Sequence, residues 1–527
     1  MSSGQGSDDG ATVKDSLPTS GEAPAPNAAD ASAHETRRDV GVALRNALKL
    51  GSSLLATWAV GLYVQFDIPR QLGPERYGGS YCYAEAFTSA VFVVCSLGLD
   101  TYIQKSVSAN PRHASDFFGT MLTIRGVLSA FLLGGMFLYH RAVHPGQNEM
   151  LAAVMVYGAT QVFLTLNASL GALLQSATKV GRLAVSNVVT KLLWGGGVIV
   201  ALHFHAPVWV VILPMLLTEI FKSCVLGWVV RGALDLRLTI DFPEARRVLW
   251  ASGAFFVNTA AFTIGGQLDM SMMKDLSSGE EAGWYGAAKK IANVSTLLSP
   301  VVGAILMPLL TRARARSDEE FFTVLRRSTE AVMVGAIPVT MMLSVGADVW
   351  IHILYRKNFD PAISTLRVLA PSFVLTYMNV QLANALILFD RGWQVTLVSI
   401  GSLVLQPFLI TLMVRFGAEH LGVGGAGLAN AFVFSFLELF SVMGFAFYLG
   451  RRAVDARCMY AIFGSLGAFA AVALLDRRIV GLGPARLVVD AVFYTILIFV
   501  TRAVRVQDVR AVLAIAMERR RARATGG

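Results

Sequence analysis

"RQLGPERYGGSYCYAEAF", from Arg70 to Phe87, interrupts a long apolar tract. Gly-Pro and Gly-Gly stop one helix here and let another begin, because Pro lacks a donor and Gly is costly to hold in a helix. A looser copy, "LSSGEEAGWYGAAKKIAN", runs from Leu276 to Asn293. Each copy holds a Gly-plus-Glu turn, then Tyr-Gly (Tyr77-Gly78 and Tyr285-Gly286), then a helix start rich in small residues. An acid precedes each break near the end of its helix, Asp67 in the first and Asp269 in the second.

The surrounding composition fixes the class. The chain has 527 residues, 54% hydrophobic and 15% charged, with mean hydropathy +0.57. A typical soluble domain is about 25% charged. The apolar residues fall in blocks of about 20, the length that crosses a bilayer as helix. This is an all-α integral membrane protein with no visible soluble domain. About fourteen spans are predicted, since each block can cross once: 48–69, 79–99, 118–140, 150–172, 184–204, 207–230, 249–273, 285–311, 330–354, 362–389, 393–415, 425–450, 458–475 and 485–501.

With the N-terminus inside, the inner segments carry about three times as many Lys and Arg as the outer loops, the bias expected of cytoplasmic segments. Arg37, Arg38, Arg246, Arg247, Arg312, Arg314, Arg316, Arg451 and Arg452 belong to that inner set, as do the C-terminal Arg519, Arg520 and Arg521. Both termini are therefore expected in the cytoplasm. The net charge of +10 reflects this topology and implies no nucleic acid partner. The four cysteines, Cys82, Cys95, Cys224 and Cys458, lie in or beside apolar blocks without CxxC spacing and read as small core residues. His203 and His205 read as a wet helix end, not a metal site.

The breaks join span 1 to span 2 and span 7 to span 8, on the outer face. Two further matches keep the same order: "LGALLQSATKVGRLA" with "LANALILFDRGWQVT", and "EIFKSCVLGWVV" with "ELFSVMGFAFYL", which aligns Glu219 with Glu438. The break recurs because a six-helix lobe recurs in the same orientation, the parallel-repeat design of many transporters. The expected plan is a disordered cytoplasmic tail at 1–40, a first lobe at 41–233, a cytoplasmic linker at 234–248 and a second lobe at 249–450 around a central cavity. Two appended helices at 451–501 and a basic cytoplasmic tail at 502–527 complete it. Asp241 and Pro243 suit the start of the second lobe as N-cap and first turn. In the last tail Val506, Val509, Leu513 and Met517 share one helical stripe, suited to lying on anionic lipid or to plain positive-inside anchoring.

These residues resemble a known family. "LGPERYG", "LGLDTYIQK" after span 2 and "QLDMSMMKDL…GWYGAAKKIA" in the second half are similar to the polysaccharide transporter branch of the MOP superfamily, the Wzx-type flippases. The resemblance covers about residues 40–500. It implies that the chain is a transporter, not an enzyme. The implied task is moving undecaprenyl-pyrophosphate-linked oligosaccharide repeat units from the inner to the outer leaflet of a bacterial inner membrane by alternating access. It also implies a polysaccharide polymerase and a chain-length regulator as partners. Lipid II flippases and multidrug and toxin cation antiporters share the fold and are the alternatives. The antiporters usually lack the appended pair, which favours the lipid-oligosaccharide branches.

Charges inside the apolar blocks mark candidate sites, because a mid-bilayer charge costs several kcal/mol by insertion scales. Arg125, Lys191 and Lys222 each lie roughly 10–12 Å deep at 1.5 Å per residue, all in the first lobe. A cationic patch that receives a pyrophosphate is one reading. Snorkelling to the interface is another, as is an i, i+3 ion pair of Glu219 with Lys222. Lys289, Lys290 and Arg367 are shallower; snorkelling accounts for them, and an outward-facing exit path would also want cations there. Glu219 and Glu438 sit mid-span, with Glu85, Asp67 and Asp269 nearer the outer face. A carboxylate in such a setting can bind H⁺ or Na⁺, so these five are candidates for ion coupling; buried pairing with Lys or Arg is the plain alternative. No other cofactor or metal is expected, and no Walker A loop is present. A glycan polymerase, ligase or glycosyltransferase would need sizeable catalytic loops, and the predicted loops are short.

Overall fold

Hydrocarbon offers no hydrogen bonds, so a chain crossing it satisfies its backbone internally, as helix. The computed structural model describes residues 59–100, 103, 114–176, 180–234, 241–450 and 456–501, all within one compact unit, Ser53–Gly527. Among the described residues there is no strand. Helix α1 covers 59–76 and α2 is Tyr83–Phe92, with a π-helical turn at Tyr77–Cys82 between them. The first half continues with α3 (Ala114–Val143), α4 (Asn148–Ser176), α5 (Val180–His203) and α6 (Val208–Leu234). The second holds α7 (Phe242–Leu276), α8 (Gly279–Ala292), α9 (Ser299–Arg316), α10 (Asp318–Val345), α11 (Ala347–Leu354), α12 (Ala362–Leu388), α13 (Gly392–His420) and α14 (Gly425–Leu449). Helices α15 (Ala456–Ile479) and α16 (Arg486–Val500) follow. Eight described stretches are long and apolar enough to cross a membrane by length and composition, so the protein is multi-pass.

The halves build matching packing. In the first, α4 and α5 both pack on α6; in the second, α12 and α13 both pack on α14. Helix α7 lies against α2 of the first half and α13 of the second. Helix α8 packs on the π turn and on α12. Helices α15 and α16 pack on each other and on α10. They are anchored by Arg486, only 2% exposed, which pairs with Asp348 of α11 and with Asp476 at 2.9 Å.

The two sequence breaks differ in the structure. The first keeps helical geometry, bending through a left-handed Gly73 (φ 77°) and the π turn, so it is no plain stop and restart. The second is a true break: α7 ends at Leu276 and Ser278 caps α8 by accepting from the Glu281 amide at 3.2 Å. The Glu281 side chain reaches elsewhere, accepting from the Gly424 and Gly427 amides at 2.7 and 3.2 Å, and so caps α14. Predicted span 8 is likewise split, into α8 and α9 around a 3₁₀ segment at Asn293–Leu298. Cys82 and Cys95 are buried as expected, whereas Cys224 is exposed on α6. His203 and His205 are exposed at a helix end. The tails at 1–40 and 502–527, with Arg37, Arg38, Arg451 and Arg452, lie outside the described residues.

The breaks meet one another. A Cβ on Gly78 would sit 2.0 Å from the Gly283 nitrogen and 2.3 Å from the Gly279 oxygen. A Cβ on Gly283 would sit 2.0 Å from the Pro74 oxygen. These are backbone-to-backbone contacts that a side chain would wedge apart. Tyr77, Cys82, Met270, Tyr285 and Ile291 form part of one buried apolar cluster there. Gly283→Ala is expected to destabilise this junction by at least about 1–3 kcal/mol, the usual cost of overpacking. The measurement is the unfolding temperature of the purified protein, which should fall; an unchanged value contradicts the packing.

Candidate functional site

Arg125 lies in a fixed network. Its guanidinium, in a residue 6% exposed, donates to the Ser96 carbonyl at 2.7 Å, to Ser169 Oγ at 2.8 Å and to the Thr165 carbonyl at 3.4 Å. Asp100 Oδ1 lies 4.0 Å away. Ser169 in turn donates to Asp100. This ties α3 to α4 and to the end of the second predicted span.

Lys191 and Lys222 are arranged otherwise. Both are half-buried, on α5 and α6. The Lys191 ammonium sits 3.7 Å from the centre of the Trp194 ring, and its side chain lies beside Gly61 of α1. Around it, within electrostatic reach, are Glu219, Lys222, Glu85 and Lys290. Lys222 makes no hydrogen bond or ion pair among the described residues, so the i, i+3 pair with Glu219 does not form. Glu219 instead accepts from Asn167 Nδ2 at 2.7 Å, and Asn167 also donates to the Glu219 carbonyl at 2.9 Å.

The second half repeats that clamp. Asn379 Nδ2 on α12 donates to Glu438 Oε2 at 2.5 Å and to the Glu438 carbonyl at 3.0 Å. The two asparagines were missed in the sequence, although they fall at one offset with the matched stretches that follow them, "LGALLQSATKVGRLA" and "LANALILFDRGWQVT". In each half a polar side chain of one helix holds both the acid and the backbone of its neighbour.

Near the joined breaks, two adjacent lysines are paired in different directions. Lys289 Nζ reaches both oxygens of Asp269 on α7, at 2.8 and 2.7 Å. Tyr285 donates its hydroxyl to the same carboxylate at 2.5 Å. Lys290 crosses to the first half and reaches Glu85 at 3.0 Å, with the two side chains 19% and 30% exposed. Snorkelling therefore gives way to ion pairing at both lysines: burying a charge beside an opposite one is the cheaper arrangement. Arg367, 54% exposed, lies 3.9 Å from Asp348, so it too has an acid beside it. Asp67 stands apart, with Gln71 Nε2 at 3.5 Å as its one hydrogen-bond partner among the described residues. The structure thus groups Lys191, Lys222, Glu219, Glu85 and Lys290, and it leaves Arg125, Asp67, Asp269 and Glu438 with partners of their own.

With this geometry in place, comparison with known proteins is informative. The family model described as "Polysaccharide biosynthesis protein" matches residues 68–364. No curated protein matches the sequence. Among solved structures, the chain is similar to the lipid II flippase MurJ in an inward closed conformation, with TM-score 0.66 and 12% identity over 87% of this chain and 99% of that one. It is similar to an inward-facing multidrug resistance MATE family transporter of the MOP superfamily, with TM-score 0.60 and 14% identity over 76% and 94%. The MATE multidrug transporter DinF-BH aligns with TM-score 0.55 and 12% identity over 78% and 96%. At these identities the likeness is one of fold.

The contrast between Arg125 and Lys222 is testable in the amount of folded protein. Arg125→Met leaves three acceptors without their donor, so it is expected to cost about 1–3 kcal/mol, the usual penalty for stranded buried polar groups. Lys222→Met removes an unpaired charge and should leave the folded yield unchanged. Quantitative membrane blots and size-exclusion profiles check both. Equal yields would contradict the network assigned to Arg125.

Proposed function

The chain belongs to the polysaccharide biosynthesis protein family of MOP-type flippases, and from that premise we propose that it moves a pyrophosphate-linked lipid oligosaccharide across the membrane. The observation that carries this reading is the pair Lys191 and Lys222. Like charges held near each other in a half-buried setting repel, and an anion placed between them removes the repulsion. Phosphate oxygens suit lysine ammonium groups as point-charge partners. Lys290 adds a third ammonium from the second half, balanced by Glu85. An undecaprenyl-type tail has apolar surface to lie on: an open groove of about 530 Å³ is lined by Met342, Trp350, Leu487 and Ala491. The larger share of this chain covered by the lipid II flippase, 87% against 76% and 78%, also favours a lipid carrier over a drug antiporter.

In this reading the protein works by alternating access. The joined breaks close the outer side, and substrate enters from the cytoplasmic side toward Lys191 and Lys222. Parting Gly78 from Gly283 and Glu85 from Lys290 opens the outer side. Coupling to H⁺ or Na⁺ falls to an acid whose oxygens are not committed to a cation. Glu438 and Glu219, each held by an asparagine, meet that condition; Asp269, engaged by Lys289 and Tyr285, does not. The expected site is a bacterial inner membrane with both termini in the cytoplasm, working beside a polymerase and a chain-length regulator.

Lys191→Ala and Lys222→Ala are each expected to slow flipping by about 10- to 100-fold at normal protein level, since a hydrogen bond to a charged group contributes about 1.5–3 kcal/mol. The assay is leaflet assignment of undecaprenyl-linked intermediates in a deletion strain complemented by each variant, using a membrane-impermeant enzyme. Repeat units trapped on the cytoplasmic side support the reading. Unchanged flipping in both variants rejects the lysine site. A normal lipid-linked pool with altered sensitivity to cationic drugs points to a drug antiporter instead.

A further inference from the structure

At the joined end, α3 finishes in two histidines that none of the preceding roles uses. His140 is 1% exposed and stacks edge-on among Tyr83, Phe87 and Tyr139, with ring centroids 5.0–5.7 Å away. Its Nδ1 lies 2.9 Å from the Met136 carbonyl. A carbonyl only accepts, so Nδ1 carries the hydrogen and Nε2 is left with a lone pair. That buried Nε2 has no hydrogen-bond partner among the described residues. His144 follows one helical turn later, its ring centroid 5.7 Å from that of His140. Its Nε2 lies 3.5 Å from Asp275 Oδ1, across the boundary between the first and second halves.

We propose that His144, backed by His140 and facing Asp275, is a proton-binding site that latches the two halves together at the joined end. Three features carry this assignment. The pair presents two ring nitrogens inside the protein: His140 Nε2 has no hydrogen-bond partner among the described residues, and His144 Nε2 faces Asp275 Oδ1 at 3.5 Å, so a proton on His144 meets a carboxylate. The contact joins α3 to α7, the helix that leads into the second break. The C-terminus of α3 favours a cation there through the unsatisfied carbonyls of its last turn.

The neighbouring charges set the sign. Helix α7 presents Asp275 and Lys274, α3 presents Tyr139, and α2 presents Tyr83. Lys274 opposes a charged histidine, but its Nζ is drawn 3.3 Å from Gln147 Oε1 in the turn after α3. Both tyrosines stay neutral near neutral pH. Among the described residues Asp275 is thus the one anion facing the pair, and in the proposed cycle it faces it only while the ends are joined. A proton on His144 adds an attraction present in the joined state and absent in the parted one. A proton held on His144 therefore favours the joined state, so low pH favours the latch and high pH releases it. The inference needs no assumption about the transported molecule. It differs from the coupling acids considered above, because the proton acts on the closure itself.

The test uses the full chain in lipid nanodiscs and hydrogen–deuterium exchange of residues 74–82 and 278–286, corrected for intrinsic rates. In the wild type, both segments should exchange about five- to tenfold more slowly at about pH 5.5 than at about pH 8, the range over which histidine titrates and the usual size of a site-to-site coupling. His144→Gln should abolish the pH dependence at the fast, high-pH level. His144→Lys, permanently charged, should abolish it at the slow, low-pH level. Asp275→Asn should remove it in both backgrounds. If His144→Gln does not fold, the wild-type series and His144→Lys decide alone. A wild type without pH dependence, or a pH dependence that survives in His144→Gln or His144→Lys, overturns the proposal.

Discussion

The backbone contact between Gly78 and Gly283 is the constraint from which the rest of the structure follows. Two chain segments approach there within a distance that excludes any side chain, and a close approach of that kind is available only to glycine. Because the contact lacks side chains, its strength comes from what surrounds it: the apolar cluster of Tyr77, Tyr285, Met270 and Ile291, and the Glu85–Lys290 ion pair about two turns further along. Such a junction is dense when closed and has few specific bonds to break when it opens. That suits a transporter, whose two states must differ by only a few kcal/mol.

Charge placement divides the interior into committed and uncommitted groups. Arg125, Asp269, Lys289 and Arg486 are each held by several partners at hydrogen-bond distance. Those interactions position helices and resist change, because removing one partner strands the other in low dielectric. Among the described residues Lys191 and Lys222 form no ion pair, although Glu219 lies within electrostatic reach of Lys191, and Glu219 and Glu438 are held by neutral amides. Groups of the second kind are where a ligand alters the energy most, since nothing must first be broken. The matching Asn–Glu clamps in the two halves also explain how an acid is kept at a fixed depth without a compensating cation.

Much of the fold was legible because apolar block length and the duplicated break are local or periodic signals. Glu219 and Glu438 were paired by alignment alone, and the structure gives them equivalent partners. The same alignment extends to Asn167 and Asn379, a signal present in the sequence and overlooked because amides carry no charge to draw notice. Arg125, Lys191 and Lys222 looked alike from depth, the one coordinate a hydropathy pattern supplies. Direction around the helix axis separates them: Arg125 reaches Ser169 and Asp100, whereas Lys222 makes no hydrogen bond or ion pair among the described residues. Lys290 read as shallow enough to reach water, but its partner Glu85 stands 205 positions earlier in the chain.

The sequence by itself determined that the chain is helical, spans a membrane many times, repeats a break and carries excess cations inside its first half. Each of these depends on residues close together in the chain or on their counting, and hydrophobic burial acts on them without reference to distant partners. Only the tertiary structure decided that the two breaks touch, that Glu281 caps α14, that Lys290 answers Glu85 and that His144 faces Asp275. Those contacts depend on the relative rotation and height of helices. Side-chain packing and ion pairing set these quantities over a few ångströms, and no local pattern encodes them.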